Sequence, residues 1–404
     1  MNTHWQWKRL GDVCKTSSGG TPLRDRAEYF EGGQVPWLMS GEVAQGDVTK
    51  SENFITKLGM QNSAAKLFPV GTVLVAMYGA TAGQVGVLRF EATTNQAVCG
   101  IFPTAHFIPE FLFYFFLSRK SELVAQATGN AQPNISQAKI KDTLVPLLPL
   151  EEQRRIVAVL DEAFAAIATA TANAEKNLVN ARELFEASVR DTFADPDPSW
   201  ELMTLKEAAR DFGRGKSKHR PRNDPKLYGG VYPFIQTGDV RNSDHLITQY
   251  SQTYSEAGLT QSKLWPRGTI CITIAANIAE TGILDFDACF PDSVIGMVVD
   301  PARTSNSYVE YLLQSLKAVL QDKGKGSAQA NINLATFENE RFPFPPKAVQ
   351  LDIVARLGAL SEQVQVMQAL YADKLIALGG LKQSLLHRAF TGDLTATMPE
   401  TLAA

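Results

Sequence analysis

The chain has 404 residues, 45% of them hydrophobic and 20% charged, enough for two or three domains with a sizeable core. Its 39 lysines and arginines against 42 aspartates and glutamates leave a formal charge of −3, which excludes a polybasic chain that holds nucleic acid by charge alone. Cys14, Cys99, Cys271 and Cys289 have neither zinc-pair nor CxxC spacing, so neither a disulfide framework nor structural zinc is expected and a reducing cytoplasm is. Met1 to Leu10 lacks the apolar core of a signal peptide. The most apolar run, Ile108 to Leu117, is broken by Pro109 and Glu110 and is too short to span a membrane.

In chain order, residues 1–148 form a first mixed region. Thr72 to Val75 is a β-branched run after a Pro-Gly signal and reads as a strand. Gly79, Gly83 and Gly86 break the next stretch into turns, and Phe111 to Leu123 reads as a short helix. Residues 149–198 hold a long helix over about 150–193 with no proline. Pro149 precedes it, Glu151 and Glu152 sit in its first turn where the helix dipole favours them, and Asp195-Pro196-Asp197-Pro198 ends it. Residues 199–345 form a second mixed region, with a strand at Thr269 to Ile274 and a helix at Tyr308 to Leu320. Residues 346–404 hold a second long helix over about 347–390, opened by Pro346 and closed by Gly392.

The chain is therefore built twice, at a period near 197 residues. Gly32-Gly33-Gln34-Val35-Pro36-Trp37 recurs as Gly229-Gly230-Val231-Tyr232-Pro233-Phe234, and Ser40-Gly41-Glu42-Val43 as Thr237-Gly238-Asp239-Val240. Phe68-Pro69-Val70-Gly71-Thr72 recurs as Trp265-Pro266-Arg267-Gly268-Thr269, and Gly129 to Ile135 answers Gly326 to Ile332.

Both long helices carry one heptad pattern. The first runs Ile156, Leu160, Ala163, Ile167, Ala170, Ala174, Asn177, Ala181, Leu184, Ser188. The second, displaced by 197 at every position, runs Ile353, Leu357, Leu360, Val364, Met367, Tyr371, Lys374, Leu378, Leu381, Leu385. Steps of four and three define a coiled-coil seam, and a small-residue seam favours pairing with a large-residue one. The expected fold is α+β: a tandem pseudo-two-fold repeat of two mixed α/β domains joined by two long helices in an antiparallel intramolecular coiled coil. Such a bar spans roughly 65 Å. Trp5 and Leu10 are expected to pack beside the end of the second helix, as Trp200 and Leu205 would beside the first.

This layout resembles the specificity (S) subunit of Type I restriction–modification enzymes. The resemblance rests on Ser18-Gly19-Gly20-Thr21-Pro22, Val35-Pro36-Trp37, Asn134-Ile135, and Val145-Pro146-Leu147-Leu148-Pro149-Leu150-Glu151-Glu152-Gln153 followed by Ile156-Val157. The tail from Leu381 to Gly392 is also similar to that family. The second repeat departs from the pattern, with Lys347-Ala348-Val349 for the acidic residues and Gly213-Arg214-Gly215-Lys216 for the Gly-Gly-Thr-Pro turn. The resemblance implies two target recognition domains, each reading one half of a split, asymmetric double-stranded DNA target. It implies a helical spacer docking two methyltransferase (M) subunits that use S-adenosylmethionine. Restriction/translocase (R) subunits using ATP and Mg would join for cleavage, and this chain would bind no cofactor.

Charge by region fits a DNA binder that relies on partners. Residues 151–198 carry five basic and ten acidic side chains, so the first helix is a poor DNA surface. Lys206, Arg210, Arg214, Lys216, Lys218, Arg220, Arg222 and Lys226 crowd into one stretch, read as a DNA-facing loop in which arginine suits guanine and lysine suits phosphate. The first domain offers Thr21, Arg24 and Arg26 in the equivalent loop. Other candidates fall at matched turns: Ser40 and Glu42 against Thr237, Asp239 and Arg241; Tyr78, Thr81 and Gln84 against Asn277; Gln96 against Asp292.

Enzyme readings find little support. A nuclease or a fused single-chain modification enzyme is the alternative. Gly215-Lys216-Ser217 lacks the earlier phosphate-loop glycine, Arg210 standing there, and Pro345-Pro346 lies in no base-flipping Asn/Asp-Pro-Pro-aromatic element. The five histidines form no metal motif, so no metal site is expected.

Overall fold

The computed structural model of the protein describes residues 5–125, 134–219, 221–275, 278–317 and 334–394. The chain divides into two compact units: Met1–Ala174 with Asp373–Ala404, and Glu175–Ala372. Each unit contains one mixed domain, the start of one long helix and the end of the other.

The first unit is built on a sheet of β1 (Thr16–Ser18), β2 (Asp47–Val48), β3 (Val73–Ala76), β4 (Val85–Leu88) and β5 (Val98–Ile101), in the order β1-β5-β3-β4-β2. Neighbours are antiparallel except β2, which runs parallel to β4. β3, β4 and β5 are buried throughout because both faces of the sheet are covered. Val73 and Val75 face a core shared with the helix Pro109–Ser118, whose Phe111, Phe115 and Phe116 are fully buried, while Leu74 and Ala76 face a second cluster around Leu38 and Phe68.

The second unit repeats this topology. Its sheet of β6 (Ala209–Arg214), β7 (Leu246–Ile247), β8 (Ile270–Thr273), β9 (Thr281–Leu284) and β10 (Val294–Val299) has the order β6-β10-β8-β9-β7. β8 and the helix Asn306–Ser315 lie 197 residues after β3 and Pro109–Ser118, and the two long helices, Leu150–Ala194 and Lys347–Thr391, keep that displacement. The Phe111 to Leu123 expectation resolves into two helices, Pro109–Ser118 and Lys120–Ala125.

A short ribbon feeds each long helix: Gln6–Arg9 pairs with Leu144–Leu147, and Glu201–Met203 with Phe342–Phe344. The glutamine ending the Glu151-Glu152-Gln153 motif has a structural role. Gln153 is buried, donates to the carbonyls of His106 (2.7 Å) and Leu148 (2.9 Å), and accepts from the N–H of Ile108 (3.0 Å). Gln350 repeats this with Arg303 O (3.0 Å), Pro345 O (2.9 Å) and Thr304 Oγ1 (2.8 Å). One side chain thereby satisfies loop groups and rivets each helix start to its domain. At the far end, Gly392 adopts φ 90°, and the N–H groups of Asp393 and Leu394 return to Arg388 O.

Within each unit the start of one long helix packs beside the end of the other, so the two run antiparallel. In the first unit Ile156, Leu160, Leu386, Ala389 and Phe390 share one core, and Lys382 Nζ sits 4.9 Å from the centre of the Phe164 ring. In the second, Val189 and Phe193 share a core with Ile353 and Leu357. Leu10 belongs to the first of these cores with Trp5 against it, and Leu205 with Trp200 to the second.

The seam departs from the heptads near its ends. Ile167, Ala174, Ala181 and Val364 are buried, and Ala163, Ala170, Leu360, Met367, Tyr371, Leu378 and Leu385 are half-buried. Leu184 and Leu381, however, are exposed, and Phe185, Val189 and Phe193 or Leu386 and Phe390 turn inward instead. A straight helix drifts about 20° per heptad from a 3.5-residue repeat, and the inward face at each end packs on the mixed domain as well as on the other helix.

Leu150–Ala194 is long and apolar enough to cross a membrane by length and composition alone, its most apolar 18-residue window having mean hydropathy 1.4 and being 17% buried. Ile108 to Leu117, the most apolar contiguous run of the sequence, lies elsewhere, in the first mixed domain. The helix's apolarity comes from alanines such as Ala165, Ala166 and Ala168 on its exposed faces, while Ile156 and Leu160 at one end and Val189 and Phe193 at the other are anchored in protein cores. The four cysteines are free and buried, and burial pushes the Cys14 and Cys99 thiols up to about 11 and about 12.

Candidate nucleic-acid interface

Strand order brings the same loops to one end of each sheet. These are the loop leaving β1 or β6, the turn joining β3 to β4 or β8 to β9, and the loop entering β5 or β10. Backbone hydrogen bonds tie them together. Gly19 N–H donates to Val98 O (3.1 Å) and Met77 N–H to Ala97 O (2.7 Å); Gly215 N–H donates to Val294 O (2.9 Å) and Ile274 N–H to Ser293 O (3.0 Å). Gly19 and Gly215 are thus equivalent, and the turn that differs in sequence between the repeats keeps its essential glycine. A Cβ at Gly19 would collide with Thr94 and Asn95, and one at Gly215 with the backbone at Phe290 and Pro291. Trp37 Nε1 donates to Gly20 O (2.9 Å), binding the Val35-Pro36-Trp37 turn to the same loop.

In the first domain Thr21 Oγ1 donates to Gln96 Oε1, joining two candidate residues across the loop cluster. Arg24 and Arg26 are exposed, Arg26 lying 3.5 Å from Glu28. Tyr78 stands at the β3–β4 turn, where Thr81 Oγ1 donates to its carbonyl (3.1 Å), and Gln84 is half-buried at the entry to β4. Ser40 is half-buried.

Glu42 does not face outward: it is buried, accepting from Met39 N–H (2.7 Å) and Glu52 N–H (2.8 Å). Asp239 likewise accepts from Gln236 N–H (2.8 Å) and Ser251 Oγ (3.2 Å). The carboxylate shared by the repeats braces the turn. Thr237 beside it is half-buried, and Arg241 is exposed at the end of that short helix.

The basic stretch of the second domain does not form one patch. Lys206 pairs with Glu338 (3.3 Å) and Arg210 with Asp300 (3.4 Å) at the opposite end of β6 from the loop cluster. At the cluster itself Arg222 pairs with Asp292 through both carboxylate oxygens at 3.0 Å, while Arg214, Lys216 and Lys218 are exposed. The loop is held in shape by Gln261 Oε1, which accepts from Lys218 N–H (2.6 Å) and His219 N–H (3.0 Å), and by Tyr228 OH donating to Arg222 O (2.6 Å). The Lys226 N–H holds the Asp224 carboxyl below the usual range, with help from His219. Arg220 and Asn277 lie outside the described residues.

Sequence reasoning missed one polar network altogether. Glu310, 1% exposed, lies 2.7 Å from His245 Nδ1 and accepts from Thr281 (3.0 Å) and Gln314. Burial alone would lower the His245 pKa, but the Glu310 carboxylate outweighs it and the net shift is upward. His245 has φ 64°, and its structural counterpart is Gly46 at φ 74°: their carbonyls accept from Ile283 and Val87. Phe113, the counterpart of Glu310, lies where a Gly46 side chain would begin. One domain fills this space with a phenylalanine and the other with an ion pair. Beside it opens a cleft of about 680 Å³, bordered by Arg182, Arg190, Arg241 and Lys317 among others. Among the described residues no group of three or more His, Cys, Asp or Glu side chains could hold a metal ion.

These features define a class: tandem α/β domains of one topology, each presenting a loop platform of different chemistry. The family described as Type I restriction modification DNA specificity domain matches residues 2–180 and 199–373, and the chain belongs to it. The Type I restriction enzyme EcoR124I/EcoR124II specificity subunit of Escherichia coli is 28% identical over 162 residues, covering 39% of this chain and 40% of that protein. The MjaIX specificity subunit of Methanocaldococcus jannaschii is 29% identical over 39% of this chain and 37% of that protein, so the chain spans about two fifths of the length of these two. The MjaVIII specificity subunit of the same organism is 23% identical over 90% of this chain and 87% of its own length. Among solved structures, a chain from work on complex assembly and conformational transition of the type I R-M system aligns with TM-score 0.79 at 23% identity, over 98% of this chain and 99% of that one. The HsdS subunit of Thermoanaerobacter tengcongensis aligns with TM-score 0.62 at 21% identity, over 97% and 98%.

Proposed function

We propose that this chain is the non-catalytic specificity and scaffold subunit of a cytoplasmic Type I restriction–modification complex. Each loop platform reads one half of a split, asymmetric DNA target. The long helices dock two methyltransferase subunits, which supply S-adenosylmethionine chemistry. Motor-nuclease subunits that use ATP and Mg join them for cleavage. The observation that carries this reading is one topology built twice with different side chains on the same loops, as two unlike half-sites require. Val366 and Leu370 of the second long helix are exposed apolar residues one turn apart on one face, which suits a protein partner and not DNA.

Reconstitution tests it. The purified chain mixed with its methyltransferase subunits gives sequence-dependent methylation, and neither component does so alone. Methyl transfer or metal-dependent cutting by the isolated chain would make it an enzyme and overturn the proposal.

A further inference from the structure

The two platforms share a cross-link of different chemistry. Gln96 stands two residues before β5 and Asp292 two before β10, and the flanking backbone hydrogen bonds make them structural counterparts. Each pairs with a residue of the loop leaving the first strand: Gln96 with Thr21, Asp292 with Arg222. Both pairs stand open to solvent, the Arg222 and Asp292 side chains being 51% and 44% exposed.

The bonding leaves specific edges free. Arg222 engages Asp292 only through one terminal nitrogen, so its other guanidinium donors remain outside this pair. A guanidinium steadied by a carboxylate presents a preset two-donor fork, the geometry that matches guanine O6 and N7. The carboxylate can accept from the cytosine amine beside it. Gln96 receives the Thr21 hydroxyl on its oxygen, which keeps the amide oriented with its NH₂ free. An oriented carboxamide matches adenine N6 and N7.

Resting on the function proposed above, we infer that these two cross-links are specificity-determining. Arg222 with Asp292 selects a G·C pair in the half-site of the second domain, and Gln96 with Thr21 selects an A·T pair in the half-site of the first.

The test sequences the DNA modified by the full complex assembled with wild-type chain, R222K, D292N or Q96A, with thermal melting of each variant. R222K keeps the charge but loses the fork. The expected result is that one G·C position in one half-site relaxes by about tenfold to a hundredfold while the other half-site is unchanged. D292N relaxes the same position, and Q96A relaxes an A·T position in the opposite half. A wild-type motif with no invariant G·C pair in that half, an unchanged R222K motif, or a uniform loss of modification with R222K in a folded complex overturns the assignment. The last outcome would make Arg222 a phosphate contact. A wild-type complex with no split motif would instead defeat the function it rests on.

Discussion

Phe390→Ala destabilises the first unit by about 3–5 kcal/mol and lowers its melting temperature by about 10 °C. Phe390 is buried where the second long helix ends on the first mixed domain, its ring 5.5 Å from that of Phe111 and 5.3 Å from that of Phe115. Alanine leaves a cavity beneath two rings that helix geometry prevents from closing. Its counterpart Phe193, 5.7 Å from Tyr308, makes the same closure in the second unit, so Phe193→Ala moves a different thermal transition. Calorimetry of the full chain resolves the two. A change below 1 kcal/mol for either variant would show that the helix ends do not close the cores.

Glu310→Ala destabilises the second unit by about 3–5 kcal/mol, because it strips a buried pair of its anion and leaves Thr281 and Gln314 without their acceptor. The pair also makes stability depend on pH. The folded pKa of His245 lies above the 6.5 of an unperturbed histidine, so the imidazolium contributes fully below about pH 6.5 and the contribution is lost as pH rises through the raised folded value. Asp244, from the same loop, favours the charged form as well, and the Glu280–Lys317 pair borders the same cleft. The second unit therefore melts lower at pH 9 than at pH 6, and Glu310→Gln flattens that difference. The first unit, with Gly46 and Phe113 at the matching positions, lacks this dependence. Equal pH slopes in wild type and Glu310→Gln would remove His245 from the explanation.

The repeat, the long helices and the central strands are legible in the sequence because their signals are periodic. β3 and β8 come from β-branched runs, and a displacement of 197 carries Leu150–Ala194 onto Lys347–Thr391. Local insertions are not periodic. The offset becomes 196 at the loops joining Gly19 to Val98, and 199 where Gly46 becomes His245, so a constant displacement of 197 does not bring Gly46 and His245 into register and the ion pair stays hidden. Composition also cannot separate a brace from a reader. Glu42 and Asp239 look like matched recognition residues until their backbone partners are seen, and Lys206 and Arg210 look contiguous with Arg214 although a strand carries them to opposite ends of the sheet. Thr21 and Gln96, by contrast, both stand out in the sequence as polar loop residues, but only folding shows that they touch.

Whole-genome methylation sequencing of the host, with the gene present and deleted, addresses the recognition role most directly. The expected result is a two-part asymmetric motif, interrupted by unread bases, that vanishes on deletion and returns on complementation. An identical methylation pattern in the deletion strain would contradict it.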